Sequence, residues 1–150
     1  MEKPVVANGH TLVVERPACV RATFHPAGDN PFFPVDATDE RGTLHGLNVD
    51  SVRPHLVEII HSEPDVVRGN HVHQNCTEIF TVLSGDIDMY LSCTCPGKHL
   101  LAARMTAGTT VVIPPGTAHA MHARTRNESV AVFGDGDPRD DRDRVMLVEW

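Results

Sequence analysis

Long apolar runs are missing from this sequence, and positive charge is scarce. No stretch approaches the ~20 apolar residues that a membrane-spanning helix needs, so we expect no membrane partner. Lys and Arg number 13 against 20 Asp and Glu, which gives a formal net charge of −7. Phosphate backbones bind basic faces, so we expect no nucleic-acid partner. The beginning, residues 1–4, lacks the basic-then-apolar pattern of a secretory signal, and a cytoplasmic location is the expectation.

Cysteine is also scarce and shows no framework. The four cysteines form neither a C-x-x-C pair nor an even spacing, so we expect free thiols, with Cys19 buried. Cys93, Cys95 and His99 form a C-x-C-x3-H stretch that offers ligands for a soft metal. No second half of a four-ligand site accompanies that stretch, which favours free thiols over a metal site.

Helical periodicity is absent as well. No long window repeats apolar residues at i, i+3, i+4 and i+7, and 11 Gly and 11 Pro interrupt the chain. Short strand-like segments separated by turn residues are plentiful, and they predict an all-β sandwich or barrel. A chain of 150 residues suits one domain with one core. The predicted strands are Thr11–Glu15, Leu56–Ser62, Glu78–Ser84, Asp86–Ser92, Thr109–Pro114, Ser129–Phe133 and Val145–Glu149.

Three segments are predicted to be turns or loops. Ser84–Asp86, centred on a glycine, lies between two predicted strands and indicates a tight hairpin turn. Asn30–Pro34 contains two prolines, which lack the N–H that an interior strand needs, so its two phenylalanines are predicted to cover an edge of the fold rather than to line the barrel mouth. Asp135–Arg144 alternates acidic and basic side chains, which indicates a solvated turn rather than a recognition segment.

Imidazole and carboxylate groups concentrate in two segments. His71 and His73 are two residues apart, so on a strand they point to the same face. A turn over residues 74–77 then brings Glu78 back beside them, and His119 enters from a separate strand pair after the stiff turn at 114–116. The alternative is that the first two histidines are surface residues of an ordinary hairpin. The agreement of both segments favours a catalytic metal site on rigid strands.

The ligand types restrict the metal. Nitrogen and carboxylate ligands without thiolate suit one divalent transition metal such as Fe, Zn, Ni or Mn, and four protein ligands leave two octahedral positions open. The alternation of faces also predicts that Met121 lies beside the metal. His122, three residues beyond His119, is predicted to point to the opposite face.

The two segments resemble the motifs of the cupin superfamily. The first motif, G-x5-H-x-H-x3,4-E-x6-G, matches from His71 to Gly85, but Gly69 lies directly before the H-x-H rather than six residues upstream. The second, G-x5-P-x-G-x2-H-x3-N, matches from Gly108 to His119 and has Ala123 in place of the asparagine.

This resemblance implies a double-stranded β-helix, the cupin jelly-roll barrel, that acts as a homodimer. It implies His71, His73, Glu78 and His119 as metal ligands. Residues 51–150 would form the barrel core, and residues 1–50 would supply strands and loops that pack on it.

A finer resemblance lies outside the ligands. The segments Asp39–Leu44 and Val66–His71 are similar to the D-x-R-G-x-L and R-G-x-H patterns of sugar-nucleotide cupins, which include ketoisomerases and epimerases. In those enzymes arginines hold the nucleotide phosphates, which makes Arg68 a candidate for substrate binding. A salt bridge at the strand end is the equally weighted alternative for Arg68. Several of those enzymes have lost the metal ligands, whereas this chain keeps all four.

Three functions fit these residues. The first is a metal-dependent isomerase, epimerase or lyase acting on a small carbonyl-bearing or sugar-derived metabolite, with His61 or Tyr90 as candidate proton-transfer residues. The second is an Fe(II)-dependent oxygenase, which uses the same ligand set and would consume oxygen. The third is a cupin that binds a small molecule without turning it over.

Overall fold

The computed structural model describes residues 5–7, 10–12, 20–93 and 100–147 and places side chains from residue 20 onward. Strands make up almost all of the regular structure in these residues. In chain order they are β1 (Val5–Ala7), β2 (His10–Leu12), β3 (Thr23–His25), β4 (Val35–Asp39), β5 (Gly42–His45), β6 (Pro54–Ser62), β7 (Val67–Val72), β8 (Thr77–Ser84), β9 (Ile87–Cys93), β10 (Leu100–Met105), β11 (Thr110–Ile113), β12 (Thr117–Ala123), β13 (Asn127–Gly134) and β14 (Asp143–Arg144). A 3₁₀ turn covers Pro138–Asp140.

Two five-stranded sheets form a jelly-roll barrel. One sheet has the order β10-β9-β12-β7-β14 and the other β3-β11-β8-β13-β6, and every pairing is antiparallel. The predicted all-β jelly roll is therefore confirmed. Among the described residues, no helix is long and apolar enough to cross a membrane.

The core lies between the two sheets because side chains alternate along each strand. On β9 the core residues are Ile87, Met89 and Leu91, while Asp88 and Tyr90 lie on the other face. From the opposite sheet, Phe80 and Phe133 enter the same core. Full burial of such a side chain contributes about 1.5–3 kcal/mol. The apolar core can therefore stabilise the barrel without a contribution from buried polar residues.

The predicted hairpin at Ser84–Asp86 is wrong, although a turn is present. Strand β8 pairs with β11 and β13, whereas β9 pairs with β10 and β12, so this turn carries the chain from one sheet to the other. Gly85 has φ 77°, and a Cβ there would lie 2.4 Å from the carbonyl oxygen of Arg126. Only glycine fits such a turn without displacing the backbone.

The N-terminal region divides into a part that joins the barrel and a part that does not. Strand β3 pairs with β11 at the edge of one sheet. Asn30, in the predicted loop, donates hydrogen bonds to Gly108 and to Thr110. Strands β4 and β5 pair only with each other, and all nine of their residues are exposed. The single chain does not test the homodimer, which stays a prediction.

Two predictions about the chain beyond β13 are wrong. Residues 145–147 are not a strand; instead β14 pairs with Val72 and His71 of β7. Asp135–Arg144 is therefore more than a solvated turn, since it ends in a strand of the barrel.

The cysteines differ from the expectation in one respect. Cys93 is disulfide-bonded, so the expectation of a free thiol is wrong there, while Cys76 is a buried free thiol. The remaining residues of the two cysteine predictions, Cys19, Cys95 and His99, lie outside the described residues.

Candidate active site and metal centre

The four predicted ligands converge inside the barrel, and they come from both sheets. His71 is on β7, His73 directly follows β7, and His119 is the cross-strand partner of His71 on β12. Glu78 is on β8 of the opposite sheet. Their four ligand atoms all lie within 4.8 Å of one another. The site thus spans the interior of the barrel rather than a single hairpin.

A bulge in β7 aims His71 at this cluster. The register between β12 and β7 shifts between His119 and Ala120, opposite Gly69 and Asn70, both of which have positive φ values of 87° and 54°. A Cβ on Gly69 would lie 2.8 Å from the carbonyl oxygen of His119. Bulges re-aim side chains next to sites. The glycine that departs from the cupin spacing therefore has a local structural role.

The nitrogen and oxygen atoms that face one another in the cluster are buried and lack hydrogen bonds. Glu78 Oε2 lies 3.0 Å from His119 Nε2 and 3.7 Å from His73 Nε2. In spite of these short separations, none of the three atoms has a partner in hydrogen-bond geometry among the described residues. Buried polar atoms without partners are costly. The arrangement fits a metal, because a divalent ion would satisfy all three atoms with ligands of the type it prefers.

The electrostatics of the cluster favour the metal-binding protonation states of His71 and Glu78. Burial lowers the pKa of His71 to about 4, with the charges of His119 and His73 adding to the effect. Burial alone would raise the pKa of Glu78, but the neighbouring histidines, His119 above all, outweigh it and the pKa is lowered. The pKa of His119 is raised, since Glu78 outweighs the effect of burial. A neutral His71 and an ionised Glu78 are the forms that bind metal.

Asp141 holds the loop that carries His73. The His73 Nδ1 donates a short hydrogen bond to the Asp141 main-chain oxygen, which leaves Nε2 facing the cluster. The Asp141 carboxylate accepts hydrogen bonds from the backbone N–H groups of Gln74 and Asn75, at 2.8 and 2.7 Å. A partner of this kind sets the tautomer and orientation of a ligating histidine.

His73, Cys76 and Asp141 also lie close enough together to be considered as a second group of ligands. Burial raises the pKa of the Cys76 thiol to about 12, with Asp141 and Glu78 adding to the rise. The thiol donates a hydrogen bond to Asp141, and His73 Nδ1 donates to the main-chain oxygen of the same residue, so these three residues already bond to one another. This group is therefore a support for the cluster and not a site of its own.

Three residues of the cluster, His71, Glu78 and His119, line a cavity of about 360 Å³. That volume is at the lower end of the range for small-molecule sites. Met121 lines the cavity and His122 does not, as predicted; His122 Nε2 lies 3.6 Å from an Asp65 carboxylate oxygen instead. The apolar lining consists of Ile60, Val67, Phe80, Met89, Met121 and Phe133.

Comparison with known proteins agrees with this geometry. The sequence pattern of the cupin family matches residues 52–144, which is more than half of the 150 residues. The chain belongs to the cupin family. No curated protein matches the sequence.

This cupin is similar in fold to several solved structures. A 3,4-ketoisomerase from Helicobacter canadensis shares 16% identity at a TM-score of 0.68, over 83% of this chain and 91% of that one. A variant of the 3,4-ketoisomerase QdtA from Thermoanaerobacterium thermosaccharolyticum, in complex with TDP-4-keto-6-deoxyglucose, shares 16% at 0.64, over 82% and 86%. The 3,5-epimerase RmlC from Legionella pneumophila, in complex with dTDP-4-keto-L-rhamnose, shares 15% at 0.69, over 93% and 79%. At these identities the likeness shows the fold.

Three charged residues surround the mouth of the cupin cavity. Arg68 lines it and donates hydrogen bonds to the Ser62 hydroxyl and to the main-chain oxygen of His61, and neither of these neutral groups is the salt-bridge partner considered for it. Substrate binding by Arg68 stays a prediction. Glu58 and Arg142 line it as well and pair with each other at 2.8 Å. Neither Glu58 nor Arg142 is part of a cupin motif, and the alternation along the predicted strand Leu56–Ser62 was the available signal for Glu58.

The two predicted proton-transfer residues are not brought to the cavity. The side chain of His61 is 71% exposed on the outer face of β6, where it pairs with Glu128. Tyr90 is buried on the outer face of its sheet, against Ala120, Ala102 and Leu147. His61 and Tyr90 lie on the faces of β6 and β9 opposite to those that line the cavity. The sequence alone did not determine which face of each strand is inward.

Proposed function

We propose that this cupin is a metal-dependent isomerase or epimerase that acts on a small, carbonyl-bearing metabolite derived from a sugar. The observation that carries the proposal is a group of three buried ligand atoms without hydrogen bonds among the described residues, Nε2 of His73, Oε2 of Glu78 and Nε2 of His119. Glu78 and His119 also line the cavity. The fold likeness to ketoisomerases and epimerases supports the substrate class.

The metal would be held by His71, His73, Glu78 and His119. When bound, it would polarise a substrate carbonyl and stabilise the negative charge that develops on the oxygen. The protein's own contribution is to orient the substrate and exclude water. The apolar lining, which includes Phe80 and Met121, lowers the local dielectric and so strengthens every electrostatic interaction in the cavity.

A proton must leave the carbon beside the carbonyl and return to the substrate. Among the described residues that line the cavity, Glu58 is the carboxylate that lies outside the metal cluster. Glu58 is on the inward face of β6, whereas His61 is on the outward face of the same strand. We therefore assign the proton transfer to the Glu58 carboxylate in place of His61 and Tyr90.

The experiment combines metal analysis with isotope exchange. The protein is purified anaerobically, its metal content is measured, and it is then incubated with TDP-4-keto-6-deoxyglucose in D₂O in an oxygen electrode. We expect near-stoichiometric metal, deuterium at the carbon next to the ketone by NMR, and no oxygen uptake.

Two results would overturn the proposal. Bound iron with substrate-dependent oxygen uptake would establish the oxygenase alternative. Metal-loaded protein that binds the keto sugar but exchanges no deuterium and makes no product would leave a binding cupin.

A further inference from the structure

The chain returns to β7 after it leaves β13. Strand β14 pairs with β7 and places Arg144 opposite His71. Just before β14, the main-chain oxygen of Asp141 accepts a hydrogen bond from Nδ1 of His73. We call residues 141–147 the strap. The strap therefore contacts two of the four predicted metal ligands, one at each of these two places.

Asn70 holds the far end of the strap by two hydrogen bonds. Its main-chain oxygen accepts from the N–H of Val145 at 2.9 Å, and its side-chain oxygen Oδ1 accepts from the N–H of Leu147 at 3.0 Å. Asn70 has φ 54°, in the left-handed region that asparagine tolerates better than most residues. This residue lies in the bulge that aims His71 at the cluster, so it connects the backbone beside a predicted ligand to the strap.

The strap has little apolar packing of its own. Strand β14 is two residues long, both of them exposed, and it lies at the edge of its sheet. Met146 is 65% exposed. Leu147 provides the apolar anchor, because it packs against Tyr90 and Ala120 on the outer face of the sheet. Segments with few buried apolar contacts open locally at a lower free energy than the whole fold. The strap can therefore open while the core between the two sheets stays intact.

The strap and the predicted metal centre share the backbone of residues 70–73. Asn70 and the pairing with β14 fix the backbone at His71. Asp141 fixes the ring of His73. A closed strap thus presents both imidazoles in the positions that one ion needs. If metal binds the closed form more tightly, metal must also favour closure by the same factor, because linkage between two equilibria is reciprocal.

We propose that closure of the strap over β7 is coupled to metal binding and that Asn70 is the positioning residue that latches it. Asn70 is not one of the described residues that line the cavity, so it acts through the bulge and the strap. This inference rests on the metal centre of the proposed function and is independent of its substrate and reaction.

The test is hydrogen exchange measured by NMR on the full chain, after treatment with a chelator and again with Zn²⁺, which is redox-inert. The amides of Val145 and Leu147 are the probes, because Asn70 accepts a hydrogen bond from each. Without zinc we expect these two amides to exchange faster than those of β13, which lies inside its sheet. Zinc at ten times its Kd should slow them about 10-fold, whereas an open strap that still bound zinc would leave their exchange unchanged.

Variants at Asn70 test the latch itself. Asn70→Gly keeps the positive φ without strain and removes the accepting side chain. We expect it to bind zinc about 2- to 10-fold less tightly, which corresponds to the net contribution of one hydrogen bond. Asn70→Asp keeps an accepting oxygen and should restore most of the affinity. A merely structural role would lower the thermal midpoint of the zinc-free protein and leave zinc affinity unchanged.

The anchor offers a matched pair of neighbouring residues. Leu147→Ala removes the packing on Tyr90 and should weaken zinc binding and speed exchange of the Val145 amide. Met146→Ala, at the exposed neighbour, should change neither. Equal effects of the two variants would contradict the role of Leu147 as the anchor of the strap.

The outcomes separate this inference from the proposed function. Strap amides that exchange equally fast with and without zinc, or an Asn70→Gly protein with wild-type zinc affinity, would overturn the strap alone. Zinc-dependent protection of the strap in a protein that exchanges no deuterium into the keto sugar would count against the proposed function alone. A wild-type protein that binds no zinc and no other divalent metal would overturn both.

Discussion

The floor and the mouth of the cavity are built in opposite ways. The floor, defined as His71, His73, Glu78 and His119, lies on or directly after paired strands, and the side chains of the last three are at most 6% exposed. The mouth, defined as Glu58, Arg68 and Arg142, lies at sheet edges and is partly exposed. A rigid, dry floor fixes the positions of the predicted metal ligands, whereas the more solvated mouth holds the proposed proton-transfer residue, Glu58, and leaves substrate choice open to change.

The largest effect is expected at the floor. Glu78→Ala removes the one predicted ligand that comes from the second sheet. Loss of a residue that only hydrogen-bonds a ligand lowers metal affinity about 10- to 100-fold, so we expect loss of the ligand itself to lower it by more than about 100-fold. The barrel should stay folded, because its core is made by other residues. Elemental analysis and circular dichroism measure the two quantities.

His122→Ala is the matched control for that change, since His122 is on the same strand as His119 and does not line the cavity. Its metal content should equal that of the wild type. A Glu78→Ala protein that keeps full metal occupancy, or a His122→Ala protein that loses it, would show that the floor is wrongly assigned.

A smaller effect is expected one step outside the floor. Asp141→Ala removes the carboxylate that accepts from Gln74 and Asn75, so the His73 loop should lose its fixed position. We expect metal affinity to fall about 10- to 100-fold, as for other outer-shell partners. Asp141→Asn should recover part of it. Asp140→Ala, the exposed neighbour, is the control, and equal losses in both variants would contradict a positioning role for Asp141.

The same contact predicts a pH dependence of stability in the metal-free protein. Burial alone would raise the pKa of Asp141, but the hydrogen bonds from Gln74 and Asn75 outweigh it, and the pKa lies below its ordinary value. The stabilisation is therefore complete above the unfolded-state pKa of about 3.9 and is lost as pH falls through the lower folded-state value. The difference in unfolding free energy between the wild type and Asp141→Ala should shrink below about pH 4, and a constant difference would contradict this origin.

The floor could be predicted from the sequence because its spacing follows strand geometry. His71 and His73 share a face by the period of two, and the same period separated Met121 from His122. The two-residue alternation of side chains does not predict the sheet to which each strand belongs. Glu78 was expected to return beside the histidines through a turn, but it reaches them from the facing sheet.

Of the mouth residues, Arg68 was predicted from the resemblance, whereas Glu58 and Arg142 could not be predicted because they depend on long-range placement. Asp141 and Arg142 lie in a segment whose alternating charges indicate a solvated turn. Their roles arise only when β14 pairs with β7, more than 60 residues earlier in the chain. For β6 the strand was predicted correctly, but which of its faces is inward depends on the opposite sheet. The sequence therefore predicted His61 and gave no reason to single out Glu58.

The smallest effect is therefore expected from His61→Ala. Comparing this variant with one at Glu58 tests directly which face of β6 meets the substrate. The pair of His61 Nδ1 with Glu128 is 3.2 Å long, with side chains 71% and 54% exposed, so solvent screens it. We expect a change in unfolding free energy below about 0.5 kcal/mol and turnover within about twofold of the wild type. Glu58→Gln, three residues away on the inward face of the same strand, should abolish deuterium exchange. Loss of exchange in His61→Ala with exchange retained in Glu58→Gln would reverse the assignment and mean that the outer face of β6 meets the substrate.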